Sequence, residues 1–140
     1  SPNNEVLKGS NRFTIKQDDQ LIKIRELEKK NIQVSSMFIL GFPHDNLKTM
    51  DETINYAKKL NTTYSLFNVW TPYPGTPVFN EYKEKITKTT YEAFDQNTLV
   101  FKHDNLSEKN IEKYLSKAYT KYYLNFKWLF KYFKSFYLSN

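Results

Sequence analysis

Residues 33–43 form an apolar segment that ends in Gly41 and Pro43, and this segment limits the folds open to the chain. It is short enough for a strand and holds β-branched and large apolar residues without polar alternation. This pattern is typical of a parallel strand buried on both faces. Gly41 permits a tight turn or a close approach of the backbone to a ligand, and Pro43 cannot continue a β-ladder. The segment therefore predicts a buried strand that leads into a ligand-facing turn.

A helix and a second strand are predicted to follow. Asp45 or Asn46 is a suitable N-cap for a helix with an apolar face at helical spacing. The residues of that face are Leu47, Met50, Ile54, Ala57 and Leu60. Residues 64–70 form the next apolar run. The chain thus predicts one strand–helix–strand unit of the right-handed, parallel type.

Two helices are predicted before the first strand. Residues 2–5 open a short helix that Gly9 ends, and a longer helix is predicted over residues 14–30 with Asn31 as a left-handed stop. Arg12 lies between these helices, where its guanidinium could pair with a carboxylate or phosphate. The alternative is an ordinary surface arginine. The alternation of helices and strands indicates an α/β domain.

A rigid segment follows the second strand. Residues 71–77 contain three prolines and one glycine, which fix the direction of the chain at the carboxyl end of that strand. Open α/β folds and barrels bind their ligands at this end. Further along, the sequence predicts a short helix over residues 78–82, a small strand over 99–101 and a longer helix that begins after Ser107.

Residues 125–138 show a basic and aromatic helical pattern. One face of that helix holds Phe126, Leu129, Phe130, Phe133, Phe136 and Tyr137, and another holds Lys127, Lys131 and Lys134. Such a helix can lie in a membrane interface or dock onto a partner, so a membrane surface is an expected contact of residues 126–138. The alternative is that the aromatic face covers the domain's own apolar surface.

The composition excludes several kinds of site. The 140 residues contain no cysteine, so this chain builds neither a disulfide framework nor a thiolate metal site. Its two histidines, His44 and His103, lie in unrelated contexts and do not indicate a metal site. The net charge of +6 comes from lysines spread along the chain. No nucleic-acid-binding module is recognisable, so nucleic acid is not an expected partner.

The chain carries no targeting or membrane-spanning pattern. No run approaches the roughly 20 apolar residues of a membrane span, and the first residues do not form a signal peptide. A cytoplasmic location is therefore expected, with peripheral membrane contact through residues 126–138 in addition. Because the sequence begins with Ser1 and not Met, we also expect a longer protein to contain it.

Several motifs occur in an order that matches one family. Residues 38–43 are Phe-Ile-Leu-Gly-Phe-Pro, residues 72–77 are Pro-Tyr-Pro-Gly-Thr-Pro, and residues 49–54 begin the intervening helix as Thr-Met-Asp-Glu-Thr-Ile. Together they resemble the C-terminal half of the radical S-adenosylmethionine (radical SAM) enzyme core, of the type joined to a cobalamin-binding domain. Residues 91–107 resemble the later elements of that core. His44-Asp45 stands where the family often has Gly-Glu.

The resemblance implies a partial parallel (β/α) barrel with outer helices, here as a fragment with additional C-terminal helices. Family members bind SAM and a 4Fe-4S cluster at the carboxyl ends of the strands, and three cysteines in a Cys-x-x-x-Cys-x-x-Cys loop hold the cluster. These cysteines are absent here. The implied partner is therefore the N-terminal half of the same barrel, and no cofactor is expected on this chain alone. Cobalamin is a further candidate cofactor of the full-length protein, and the substrate is unknown.

The same resemblance implies a set of SAM-binding residues. Arg12 matches an arginine that pairs with the SAM carboxylate. Met37 and Ile39 fall on the strand that passes the adenosine, one near the ribose and one against the adenine. Trp70 and Thr71 stand at the strand end that meets the adenine edge. For the apolar positions the alternative is ordinary barrel core.

Two functional interpretations follow. In the first, residues 1–85 form the C-terminal half of a radical SAM partial barrel and residues 86–140 a helical extension with a basic aromatic tail. This fragment would be inactive until it is joined to its N-terminal half. In the second, the chain is a non-catalytic interaction or membrane-docking module derived from that fold.

Overall fold

A computed structural model of the chain describes residues 2–9 and 17–138, with side chains described as far as Phe133. Two helices precede the first strand, one helix connects the two strands, and helices dominate after the second strand. The helices are α1 (Asn4–Gly9), α2 (Gln17–Lys29), α3 (Leu47–Leu60), α4 (Pro77–Tyr82), α5 (Glu108–Tyr123) and α6 (Phe126–Leu138). The strands are β1 (Ser35–Leu40) and β2 (Tyr64–Val69).

The two strands pair in parallel. Ser35 lies opposite Tyr64, and the register continues without a bulge to Leu40 opposite Val69. Because α3 connects the strands, β1, α3 and β2 form the strand–helix–strand unit that the sequence predicts. The protein is therefore a mixed α/β structure with a two-stranded parallel sheet among its described residues.

One face of the sheet carries the hydrophobic core. Phe38 of β1 stacks on Phe67 of β2, with ring centroids 5.5 Å apart. Helices α3 and α5 cover these rings with fully buried side chains. The central ones are Met50, Ile54, Ala57, Ile111, Ala118 and Tyr122. The core thus draws on both predicted parts of the chain, and the predicted division at residues 85 and 86 stays a prediction.

The other face of the sheet is apolar but open. Met37 is 67% exposed and Leu66 is 45% exposed, and both point away from the core because side chains alternate along a strand. The prediction that β1 is buried on both faces is wrong for the described residues. The segment lacks polar alternation because both of its faces are apolar, although α3 and α5 cover one of them only.

The outer edge of β2 is closed by tyrosine hydroxyl groups. The Ser65 N–H donates to the Tyr123 hydroxyl at 2.9 Å, and that hydroxyl donates back to the Ser65 carbonyl at 2.9 Å. Tyr119 makes the same pair of hydrogen bonds with Phe67, at 3.2 and 3.3 Å. The Val69 N–H donates to the carbonyl of Gln96 at 2.6 Å. Within the described residues the opposite edge, along β1, has no strand partner.

The predicted helix ends agree with the structure. Asn46 is the N-cap of α3 and forms a capping box with Thr49, and Ser107 caps α5 in the same way with Asn110. Asn31 has a φ of 59°, which confirms the left-handed stop after α2. The predicted strand over residues 99–101 is wrong, because Phe101 forms only an isolated antiparallel bridge to Ile86.

Candidate functional site

A cleft of about 470 Å³ opens where the two strands end. Met37 and Ile39 of β1 form one wall, and Asn68 of β2 faces the same space. The chain that leaves β2 supplies the other wall through Trp70 and Thr71. The volume lies in the range of small-molecule sites, and the walls are mainly apolar with a few polar groups, as is usual for such sites.

Four of the five residues that the family motif marks for SAM binding line this one cleft. They are Met37, Ile39, Trp70 and Thr71. They come together because side chains at alternate positions of β1 share a face, and because parallel strands end at the same edge of a sheet. The fifth, Arg12, lies outside the described residues. The binding roles of all five stay predictions.

Trp70 is held in place by aromatic neighbours. Its ring meets the rings of Tyr82 and Phe101 edge-on, with centroid distances of 5.1 Å in each case. The ring of Phe42 lies 6.5 Å away on the cleft side. The backbone N–H of Trp70 donates to the Leu40 carbonyl at 2.8 Å, and this bond extends the β-ladder to the rim of the cleft. The indole is therefore a fixed part of the wall.

A buried carboxylate orders the turn that follows β1. The Phe42 N–H donates to Asp45 Oδ2 at 2.9 Å, and the Thr49 hydroxyl donates to Asp45 Oδ1 at 2.6 Å. Burial raises the pKa of Asp45 above its ordinary value, and this effect outweighs the hydrogen bonds that favour the charged form. The predicted choice of Asp45 or Asn46 as N-cap is thereby resolved: Asn46 caps α3 and Asp45 binds the turn.

His103 holds the same turn from the other side. The Asn105 N–H donates to His103 Nδ1 at 3.0 Å, so Nε2 carries the proton and donates to the Phe42 carbonyl at 2.8 Å. The Asn105 side chain also donates to the Asp45 carbonyl at 3.2 Å. No sequence pattern indicates this role for His103. Sixty-one residues separate it from Phe42, and no local pattern links them.

Gly41 is required by packing within the fold. Its φ is +74°, in the region that favours glycine, and a Cβ atom there would lie 2.8 Å from Cδ1 of Ile111 in α5. The sequence correctly marks this position as a tight turn. The close neighbour that the structure shows is a side chain of the core.

Several residues that line the cleft are not among the predicted ones. Phe42, Tyr73 and Gln96 line the cleft together with the predicted set. Tyr73 stands in the proline-rich segment that the sequence places at the strand end, so its position was a usable signal. Gln96 reaches the cleft from a distant loop, where it has a φ of 65°. No sequence pattern indicates that loop.

The residues present do not suit an iron–sulfur cluster. Such clusters need several thiolate ligands, and the chain has no cysteine. Among residues 2–9 and 17–138, no group of three or more His, Asp or Glu side chains could hold a metal ion either. The cleft does suit a nucleoside, because it combines a fixed indole and apolar side chains with the polar groups of Asn68 and Thr71.

No family model matches the chain, whereas curated enzymes do. It is 27% identical over 116 residues to the bacteriochlorophyllide d C-12(1)-methyltransferase of Chlorobaculum tepidum, an alignment that covers 82% of this chain and 25% of that enzyme. It is 32% identical over 111 residues to an uncharacterized methyltransferase of Pyrococcus horikoshii, over 77% of this chain and 24% of the relative.

A third relative has a different activity. The chain is 36% identical over 89 residues to the tRNA-2-methylthio-N(6)-dimethylallyladenosine synthase of Buchnera aphidicola subsp. Schizaphis graminum, which covers 58% of this chain and 20% of the synthase. The bacteriochlorophyllide methyltransferase and the tRNA-modifying synthase are radical SAM-type enzymes. They support the superfamily that the motifs indicate, across several different activities. The chain spans about a quarter or less of the length of each relative.

Proposed function

We propose that this chain is the C-terminal half of a radical SAM enzyme core and acts only when joined to an N-terminal half that holds the cluster. The observation that carries the proposal is the cleft, because four residues chosen from the family motif line it at the carboxyl ends of parallel strands. Similarity to radical SAM-type enzymes over up to 82% of the chain supports the same function.

The open side of the sheet supports the proposed partner. β1 has an unpaired edge within the described residues, and the sheet face that holds Met37 and Leu66 is apolar and exposed. A second cleft of about 560 Å³ runs beside β1, between Ser35 and Ile24 of α2. A neighbouring parallel strand from the N-terminal half would pair with this edge, and the completed partial barrel would cover the face.

Each of the five residues that the family motif marks has a proposed role in binding SAM. Met37 and Ile39 pack against the ribose and the adenine, and the backbone at Trp70 and Thr71 meets the adenine edge. Arg12 pairs with the SAM carboxylate through its planar guanidinium. In the full-length protein, a 4Fe-4S cluster held by the N-terminal half would supply the electron that cleaves SAM, and the residues of this chain would hold the adenosine part of SAM beside it. The motif resemblance adds cobalamin as a candidate second cofactor of the full-length protein.

The direct test compares the isolated chain with the longer protein in which a half with the three-cysteine loop precedes it. After anaerobic cluster reconstitution and reduction, the longer protein should release 5′-deoxyadenosine from SAM. The isolated chain should bind no iron and should release no 5′-deoxyadenosine. An isolated chain with a stoichiometric cluster, or a longer protein with an intact cluster that leaves SAM uncleaved, would contradict the proposal. The second outcome would favour the non-catalytic module.

A pair of variants tests the cleft. In the longer protein, Met37→Ser should weaken SAM binding about tenfold, because an apolar contact with the ligand is lost. Leu66→Ser is the matched control, since Leu66 lies on the same sheet face and is similarly exposed but does not line the cleft. Isothermal titration calorimetry with SAM measures both. Equal affinities for the two variants would remove Met37 from the site.

A further inference from the structure

Helix α6 presents a row of exposed apolar side chains. Phe126 is 90% exposed, Phe130 is 73% exposed and Phe133 is 56% exposed, and their spacing places them on one face of the helix. Leu124, the C-cap residue of α5, is also exposed, at 71%. We call Phe126, Phe130 and Phe133 the aromatic stripe. An exposed apolar surface of this kind on a helix is typical of an interaction site.

The opposite side of α6 is fixed to the domain. Trp128 packs edge-on against Tyr123 with centroids 4.7 Å apart, and its indole N–H donates to the Thr63 carbonyl at 3.1 Å. Lys131 forms an ion pair with Glu28 of α2. Turning the stripe inward would break these contacts. The interpretation that the aromatic face covers the domain's own surface therefore fails for Phe126, Phe130 and Phe133.

The C-terminal part of the sequence, which carries the stripe, has charged residues of one sign. From Lys113 to Asn140 the sequence holds six lysines and no aspartate or glutamate. Two of these lysines are paired within the fold, Lys117 with Asp51 and Lys131 with Glu28. Lys127 is exposed beside Phe126, and so is Lys121 in the last turn of α5. Glu28 of α2 neutralises Lys131, and the charged residues that α6 and the end of α5 add near the stripe are all lysines. An apolar stripe beside exposed lysines complements a surface that is apolar beneath an anionic layer.

We propose that this face of the protein binds an anionic lipid membrane, with the aromatic stripe inserted at the boundary between head groups and acyl chains. An amphipathic helix with phenylalanines on one face and lysines beside them has the composition of interfacial helices. A second copy of this chain fits less well, because two lysine-rich faces would repel each other. In the part of the chain that the structure describes, no helix is long and apolar enough to cross a bilayer.

The stripe and the cleft lie at opposite ends of the sheet. Helix α6 contacts Thr63, just before β2 begins, whereas the cleft lies at Trp70, just after β2 ends. Six residues of strand separate the two ends by about 20 Å. A protein bound through α6 therefore leaves the cleft accessible. The proposal stands on α6 and its charges alone and is independent of the function proposed for the cleft.

Vesicle co-sedimentation of the complete 140-residue chain tests the proposal. The chain should partition into vesicles of phosphatidylglycerol and phosphatidylcholine at low salt, and far less into phosphatidylcholine alone. At about 1 M salt, where the Debye length falls to about 3 Å, the preference for anionic vesicles should disappear. Phe126→Ser combined with Phe130→Ser should weaken partition at least about tenfold, because two inserted rings are lost.

The control variant is Tyr91→Ser, which removes another aromatic side chain that is 89% exposed and lies outside α6. It should partition like the wild type. Circular dichroism should show all variants folded, because the replaced rings lie outside the core. The proposal is wrong if the wild type stays in solution at low salt, or if the double variant partitions as the wild type does. It is also wrong if the rings instead drive a dimer in sedimentation velocity without binding vesicles.

Discussion

Single residues at the end of β1 decide how closely α5 can approach the sheet. Gly41 turns the chain with a positive φ and leaves room for the Ile111 side chain. The carboxylate of Asp45 accepts a hydrogen bond from the backbone N–H of Phe42, the residue that follows Gly41. His103 accepts a backbone amide at one ring nitrogen and donates from the other. These contacts shape the turn beside the cleft, and each of them is accessible to mutation.

Gly41→Ala should destabilise the fold by about 2–4 kcal/mol, because it combines a strained backbone conformation with a clash in a packed core. Gly75 is the matched control. Its φ is +85°, but no atom lies within 4 Å of the position that a Cβ would take. Gly75→Ala should therefore cost only the backbone strain, about 1–2 kcal/mol. Urea unfolding of the two variants measures the difference.

A second substitution separates the two contributions at Gly41. Ile111→Val removes Cδ1, the atom that a Cβ at position 41 would meet. In the Ile111→Val background, Gly41→Ala should cost about as much as Gly75→Ala does in the wild type. If Gly41→Ala lowers the unfolding free energy in this background as much as in the wild type, the clash with Ile111 is not the reason that position 41 requires glycine.

Asp45 should make stability depend on pH in an uncommon direction. Burial raises its pKa in the folded state above the unfolded value, so the folded protein binds the proton more tightly. Its contribution to the unfolding free energy is then largest below the unfolded pKa and is lost as pH rises through the folded pKa.

Asp45→Asn removes this titration. The unfolding free energy of the wild type minus that of the variant should increase as the pH is lowered from 7 towards 4. Taking this difference cancels the pH dependence that other groups contribute. Asp51 is one such group: burial raises its pKa, but the hydrogen bond from Lys117 and other contacts lower the pKa overall. Chemical unfolding at several pH values gives the comparison. A difference that is constant or shrinks on acidification would show that Asp45 is not the group responsible.

At the scale of the elements, β2 is an edge strand whose edge is closed by side chains. Tyrosine hydroxyls can donate and accept at once, so Tyr119 and Tyr123 satisfy both backbone groups of Phe67 and Ser65. They stand one helical turn apart on α5, which matches the spacing of alternate residues on β2. The helix therefore takes the place of a further strand on this side of the sheet.

Replacing both tyrosines by phenylalanine should reopen the edge. Each lost hydroxyl leaves an N–H and a C=O of β2 without their partner and should cost about 1 kcal/mol. The amide protons of Ser65 and Phe67 should exchange faster with solvent, and the exposed edge should promote aggregation. Hydrogen exchange followed by NMR tests this, with Tyr91→Phe as the control for loss of an exposed hydroxyl. Unchanged protection of both amides would refute the role of the hydroxyls.

At the scale of the whole molecule, the two edges of the sheet differ: the backbone of β2 is hydrogen-bonded along its outer edge, whereas the outer edge of β1 has no strand partner among the described residues. Helix α5 and residue Gln96 complete the hydrogen bonding of β2, whereas β1 has a free edge within the described residues. The face that carries Met37 and Leu66 is apolar, as expected for the inner wall of a barrel. This asymmetry supports the proposal that the N-terminal half packs beside β1.

The sequence alone determined the local elements and the position of the cleft. Hydrophobic periodicity specified α3, α5 and both strands, and capping residues such as Asn46 and Ser107 specified where helices begin. These features depend on neighbours within a few positions in the chain. The strand end was indicated by the same information, because parallel strands joined by a helix end at the same edge. The residues Met37, Ile39, Trp70 and Thr71 were marked by the resemblance to the radical SAM family, and the structure brings them to one cleft at that edge.

Only the tertiary structure decided what covers each surface. The apolar run of β1 does not reveal which of its faces is covered, and the aromatic pattern of α6 does not reveal that Trp128 packs inward while Phe130 points outward. The pairing of His103 with the Phe42 carbonyl and of Tyr119 with β2 joins residues more than 50 positions apart. Such contacts depend on how the helices pack against the sheet, and that packing is a property of all the elements together.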